Sequence, residues 1–148
     1  MSEAGLTQSE ADLLLATEKT RVSEEVYSFP QAGKSLSPPV KSIDLREDFW
    51  FGLIRGSVRM TKCSYQNRAR SVIVLARLDV DGPGHRNPDM TQVECPHIHL
   101  FREGFGDKWA FPAEEILGVL TCDLFVAWLA FARFCNVVEL PNLERGLF

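Results

Sequence analysis

Apolar and polar residues alternate in different rhythms along the chain, and each rhythm predicts an element. In LTQSEADLLLATEK, Thr7 is followed three residues later by Glu10, and then by Leu13, Leu14 and Leu15. A hydroxyl N-cap answered by a Glu is a capping box, so an amphipathic helix is expected to open the chain. Residues 28–41, SFPQAGKSLSPPVK, are rich in Ser, Pro and Gly. They predict an extended connector that contributes no core. Three β-rich runs follow, at residues 49–54, 57–62 and 71–78, with Gly56 and SYQNRAR as turn material between them. A fourth strand is expected at residues 97–101, after the turn-rich DGPGHRNPDMTQ.

Beyond GFGD, Pro112 followed by Ala113, Glu114 and Glu115 places proline and acids in a first helical turn, and Thr121 reads as the N-cap of a last helix. That helix takes in LFVAWLAFARFCNVV, residues 124–138. It is too short for a bilayer and contains Arg133, so it reads as a buried core helix. The fold class expected is α+β: an antiparallel sheet of about four strands, an N-terminal helix and C-terminal helices, in a single domain over residues 1–148.

Composition agrees with a folded domain. The chain of 148 residues is 45% hydrophobic and 10% aromatic, enough to bury a core. A net charge of −4 argues against a protein that coats nucleic acid with its whole surface. Cys63, Cys95, Cys122 and Cys135 stand apart with no C-x-x-C pair, and the N-terminus carries acids where a secretory leader has basic residues. A reducing cytoplasm is the setting expected, with no membrane partner.

The chemistry gathers in one window. All three histidines, His85, His97 and His99, lie within 15 residues of one another, in VDGPGHRNPD and CPHIHLFREGFGDKW. On a strand, His97 and His99 project to one side and Ile98 and Leu100 to the other, while His85 arrives from the loop leaving the neighbouring strand. Three readings stay open. Two rings can share general acid–base work on a phosphodiester, because imidazole titrates near neutrality. Three imidazoles can instead bind a transition metal. Or the rings are structural, hydrogen-bonded to backbone and carboxylate. Glu103 and Asp107 lie in the glycine-containing REGFGDKW as a mobile rim, and Asp79, Asp81 and Asp89 either orient histidines or form turns. Cys95 is the one cysteine near enough to take part.

Charge is uneven. Between Phe49 and Leu78 stand Arg55, Arg59, Lys62, Arg68, Arg70 and Arg77 without one acid, although the whole chain holds 20 Asp and Glu against 16 Lys and Arg. With Phe49, Trp50, Phe51 and Tyr65 nearby, such a segment suits phosphates and stacked bases. An acidic protein partner would read it equally well.

The run RLDVDGPGHRNPD followed by CPHIHLFREGFGDKW resembles an uncharacterised bacterial and phage family with the pattern G-x-x-H-x-N, then H-x-H, then an acidic-aromatic stretch. The resemblance covers residues 75–112 and singles out Gly82, His85, Asn87, His97, His99 and Glu103. It marks a site without naming its chemistry.

Two functions from different classes follow. One is a small ribonuclease-like enzyme, a toxin or a phage-defence protein, with His97, His99, His85 and Glu103 at its catalytic centre and the basic residues on RNA or DNA. It calls for no cofactor, although a transition metal on His85, His97 and His99 is compatible. The other is a non-catalytic inhibitor or antitoxin-like protein that turns the basic segment to an acidic partner and forms a homodimer through its C-terminal helix. An open pocket shared by the histidines favours the first, and their burial the second.

Overall fold

The computed structural model describes residues 5–59, 61–118 and 123–145. In chain order the elements are α1 (Gln8–Ala16), β1 (Lys19–Arg21), β2 (Val26–Ser28), β3 (Ser35–Leu36), β4 (Pro39–Ser42), β5 (Asp48–Arg55), β6 (Cys63–Ala69) and β7 (Ile73–Asp79). They continue with β8 (His85–Arg86), β9 (Gln92–Val93), β10 (His97–Arg102), β11 (Gly106–Pro112), α2 (Ala113–Leu117), α3 (Leu124–Phe134), β12 (Val137–Glu139) and β13 (Asn142–Glu144).

The expectation of about four antiparallel strands is overturned. The main sheet has nine strands and is mixed, in the order β11-β10-β7-β6-β5-β4-β1-β12, with β3 also paired to β5. Its pairings are antiparallel except where β12 runs parallel to β1. Strand β6 occupies CSYQNRA, most of the stretch read as a turn, whereas residues 57–59 and 61–62 form no strand. The reason is period two: Cys63, Tyr65, Asn67 and Ala69 are buried, and Ser64, Gln66 and Arg68 are half-buried. The expected connector at 28–41 carries β3 and most of β4 and puts Phe29 and Val40 into the core. Proline opens β4, a position that costs no ladder hydrogen bond. The long apolar run is not one helix either. It ends at Phe134, Asn136 adopts a positive φ of 59°, and the chain re-enters the sheet as β12.

The capping box of α1 forms as the spacing requires: Thr7 Oγ1 accepts from Glu10 N, and Glu10 accepts from Thr7 N. Asp123 caps α3, accepting from the amides of Phe125 and Val126; Thr121 lies outside the described residues. Helices α1 and α3 contribute to one apolar cluster with Phe49, Phe51, Leu53, Tyr65, Leu75 and Leu78 of the sheet. Trp128 and Phe131 of α3 pack on the Phe51 ring. Tyr65 donates its hydroxyl to Leu124 O at 2.5 Å, pinning α3 to β6.

The alternate residues of β5, β6 and β7 face the other way. Trp50, Ile54, Ser64, Gln66, Arg68, Arg77 and Asp79 are half-buried or exposed there. Residues 80–96 leave β7 and return to β10, carrying the hairpin β8–β9. Among the described residues no helix is long and apolar enough to cross a membrane.

Candidate functional site

Pairing of β7 with β10 builds the site. In register, His97 lies opposite Asp79 and His99 opposite Arg77, so four polar side chains share one patch between two central strands. Ile98, on the opposite face of β10, is fully buried. Both imidazoles are enclosed as well, His97 2% and His99 1% exposed. Both rings project from one face of β10, and the pocket expected around them is closed over both.

Every ring nitrogen of that pair meets a protein atom. His97 Nε2 lies 3.0 Å from Asp79 Oδ2, and its Nδ1 lies 3.3 Å from Val93 O and 3.6 Å from Cys95 Sγ. His99 Nδ1 donates to Asp107 O at 2.8 Å. Its Nε2 sits between Arg77, whose guanidinium N–H lies at 2.9 Å, and Asp79 Oδ2 at 3.3 Å. A neutral ring accepts from the guanidinium, and a doubly protonated ring donates to the carboxylate. Arg77 also bridges Asp79 and Asp107, at 3.2 and 3.0 Å. Ser64 donates to the remaining Asp79 oxygen at 2.7 Å. Burial pushes the Asp79 pKa up, but hydrogen bonding with His97, His99 and Ser64 and the charge of Arg77 outweigh it, holding the carboxyl well below its usual range.

His85 reaches the same cluster from β8. Its ring centroid lies 4.6 Å from that of His99 and 6.0 Å from that of His97. His85 Nε2 donates to Lys108 O at 2.7 Å. Two residues on, buried Asn87 pairs with Ala110 as a strand would, accepting from its N at 2.8 Å and donating to its O at 3.0 Å. The G-x-x-H-x-N stretch is thus a clamp. It fastens the β8–β9 hairpin to the outer edge of β11, the terminal strand of the sheet, and so helps to close the cover over His97 and His99.

The remaining residues divide. Glu103 is placed at the head of α1, where its carboxylate accepts from Gln8 N and its own N–H donates to Gln8 Oε1. Arg55 points to the core side, 4% exposed, and donates to Pro30 O. Arg59 is paired with Asp81 at 2.6 Å. Arg70 sits in the β6–β7 turn with a positive φ. Arg68 and Arg77 keep to the other sheet face, where Arg68 lies opposite Trp50 and donates to Ser37 Oγ and Ser71 O, while Lys62, just before β6, lines the groove beside Asp79. Asp89 forms a turn, accepting from Thr91. Burial and the nearby Asp79 and Asp81 charges push the Cys95 thiol up to about 11, the opposite of an activated nucleophile.

Asp79 opens onto a groove of about 250 Å³ lined by Lys62, Ser64, Gln66, Arg77, Asp81 and Cys95, among others. Asp79, His97 and His99 together place three ligand atoms within 4.8 Å of one another. Sequence spacing pointed to a third histidine in that role. The register of β7 against β10 supplies the carboxylate instead.

No curated protein and no solved structure matches the chain. Residues 6–137 match the profile of DUF6978, a family of unknown function, and the chain belongs to that family.

Proposed function

We propose that the protein binds single-stranded nucleic acid across the uncovered face of its sheet. The observation that carries this reading is the lineup of Trp50, Arg68, Gln66, Arg77 and Lys62 on that face, next to the Asp79 groove. A half-buried indole gives a base a surface to stack on, and cations beside it take phosphates. Arg55 and Arg59 are spent on Pro30 O and Asp81, and Arg77 on Asp79 and Asp107, so the phosphate contacts fall to Lys62 and to Arg68, which donates to the neutral oxygens of Ser37 and Ser71. The burial of His97 and His99 favours binding over metal-free acid–base cleavage, since a proton shuttle needs a ring nitrogen turned to its substrate. In this reading the two rings hold Asp79 and Arg77 in place.

Fluorescence polarisation with labelled single-stranded RNA and DNA tests it. Arg68→Ala is expected to weaken binding and to flatten the dependence of log K on log salt by roughly one contact. Trp50→Ala should weaken binding by about 1–3 kcal/mol with the salt slope kept. Labelled RNA incubated with the parent and a chelator should stay intact. A parent that binds neither strand type, or variants indistinguishable from it, would remove nucleic acid as the ligand.

A further inference from the structure

We propose that Asp79, His97 and His99 form a binding site for one divalent transition-metal ion of the zinc, cobalt, nickel and ferrous class. The proposal is independent of nucleic-acid binding and rests on four observations.

The first is convergence. Asp79 Oδ2 lies 3.0 Å from His97 Nε2 and 3.3 Å from His99 Nε2. Ligand atoms about 2.0–2.2 Å from a tetrahedral ion are separated by roughly 3.3 Å. Two edges of the coordination figure therefore already have about the length an ion requires.

The second is orientation. A metal-bound imidazole needs its other nitrogen held by an acceptor, which fixes the tautomer and aims the lone pair. Here both Nδ1 atoms face backbone carbonyls, Val93 O and Asp107 O. With both Nδ1 atoms carrying the proton, both Nε2 lone pairs point at the same carboxylate oxygen, and an ion there would take the place of the ring protons that otherwise hydrogen-bond Asp79. The second oxygen of Asp79 is held by Ser64 and by Arg77 Nε.

Rigidity is the third. The ligands come from adjacent paired strands rather than from loops, and both rings are almost fully enclosed. The donor set decides the metal class. Two imidazoles and one carboxylate suit borderline transition ions, whereas calcium and magnesium prefer oxygen ligands alone.

The fourth is Arg77. Its guanidinium is the cation now shared between Asp79 and His99 Nε2. It is partly exposed and has a second carboxylate, Asp107, at 3.0 Å. Turning fully to Asp107 would release His99 Nε2 and open the ion to the groove side. Arg77 and the metal therefore compete, which gives the proposal a signature that a purely structural cluster lacks.

The test is titration of the full chain, stripped with chelator, using Co2+ followed by visible absorption and Zn2+ followed by calorimetry, with Ca2+ and Mg2+ alongside. One equivalent of Co2+ and of Zn2+ should bind, and neither Ca2+ nor Mg2+. Asp79→Asn and His97→Ala should each weaken binding at least about tenfold, and Arg77→Gln should tighten it by a similar factor. Circular dichroism and melting curves establish which variants fold. Should the ligand variants fail to fold, Arg77→Gln still decides. Folded parent and folded Arg77→Gln that both give no cobalt absorption and no zinc heat at millimolar metal would overturn the proposal. So would affinity unchanged in a folded Asp79→Asn or His97→Ala variant.

Discussion

Lys19 places an ammonium in the core. Fully buried, it donates to three carbonyls, Leu15 O, Thr17 O and Cys135 O, at 2.7–2.9 Å, and its Nζ lies 4.7 Å from the centre of the Phe49 ring. One side chain thus ties the ends of α1 and α3 together, meeting carbonyls that a helix end leaves without partners. Burial pushes its pKa from 10.5 down to about 8. Across that window the unfolded chain keeps the proton and the folded one releases it, so this residue's contribution to stability rises with pH. Cys135 and Cys63, pushed up to about 12 and 11, act in the opposite direction. The residue is isolated by difference: from pH 8 to 10.5, the stability of the parent relative to Lys19→Met should shift in the parent's favour in urea titrations. No pattern in the sequence marks this lysine as internal, because a three-residue strand has too few positions to show a period. The histidines were legible, since a shared strand face follows from H-x-H alone. Asp79 was one of three aspartates able to orient them, and only the register of β7 against β10, which no local spacing contains, selects it.

At the scale of elements, the β8–β9 hairpin is held by side chains more than by its own two-residue strands. Asn87→Ala would leave both the N–H and the C=O of Ala110 without their partner amide, at a cost of about 2–3 kcal/mol. The expected signature is local as well as global: faster hydrogen exchange at Ala110 and over residues 85–93, with the β5–β6 amides following only the global change. Elements with large apolar inward positions, β5, β7 and β10, could be read from alternation. Strand β6 could not, because Tyr65 is its only large apolar residue, and pairing with β5 and β7 on either side decides its conformation. The same period divides the basic segment between the two faces. Period two sends Arg55 inward and Arg68 outward, so a count of charges does not describe a surface.

For the whole molecule, the feature absent from local sequence is the joining of the two halves of the chain. Strand β12 lies beside β1, and Lys19 reaches Cys135 across 116 positions. Closing so long a loop is costly early in folding, whereas β5–β6–β7 pairing is nearly sequential. Val137→Ala, at a buried position of β12, should therefore speed unfolding and leave the folding rate nearly unchanged, which the two limbs of a stopped-flow chevron check. The clamp on β11 matters when many copies share a cell. A terminal strand with free backbone groups invites another chain to add itself, and such addition propagates. At Lys108 and Ala110 those groups are already taken by His85 and Asn87. The G-x-x-H-x-N stretch therefore also works as a barrier to fibrous self-association.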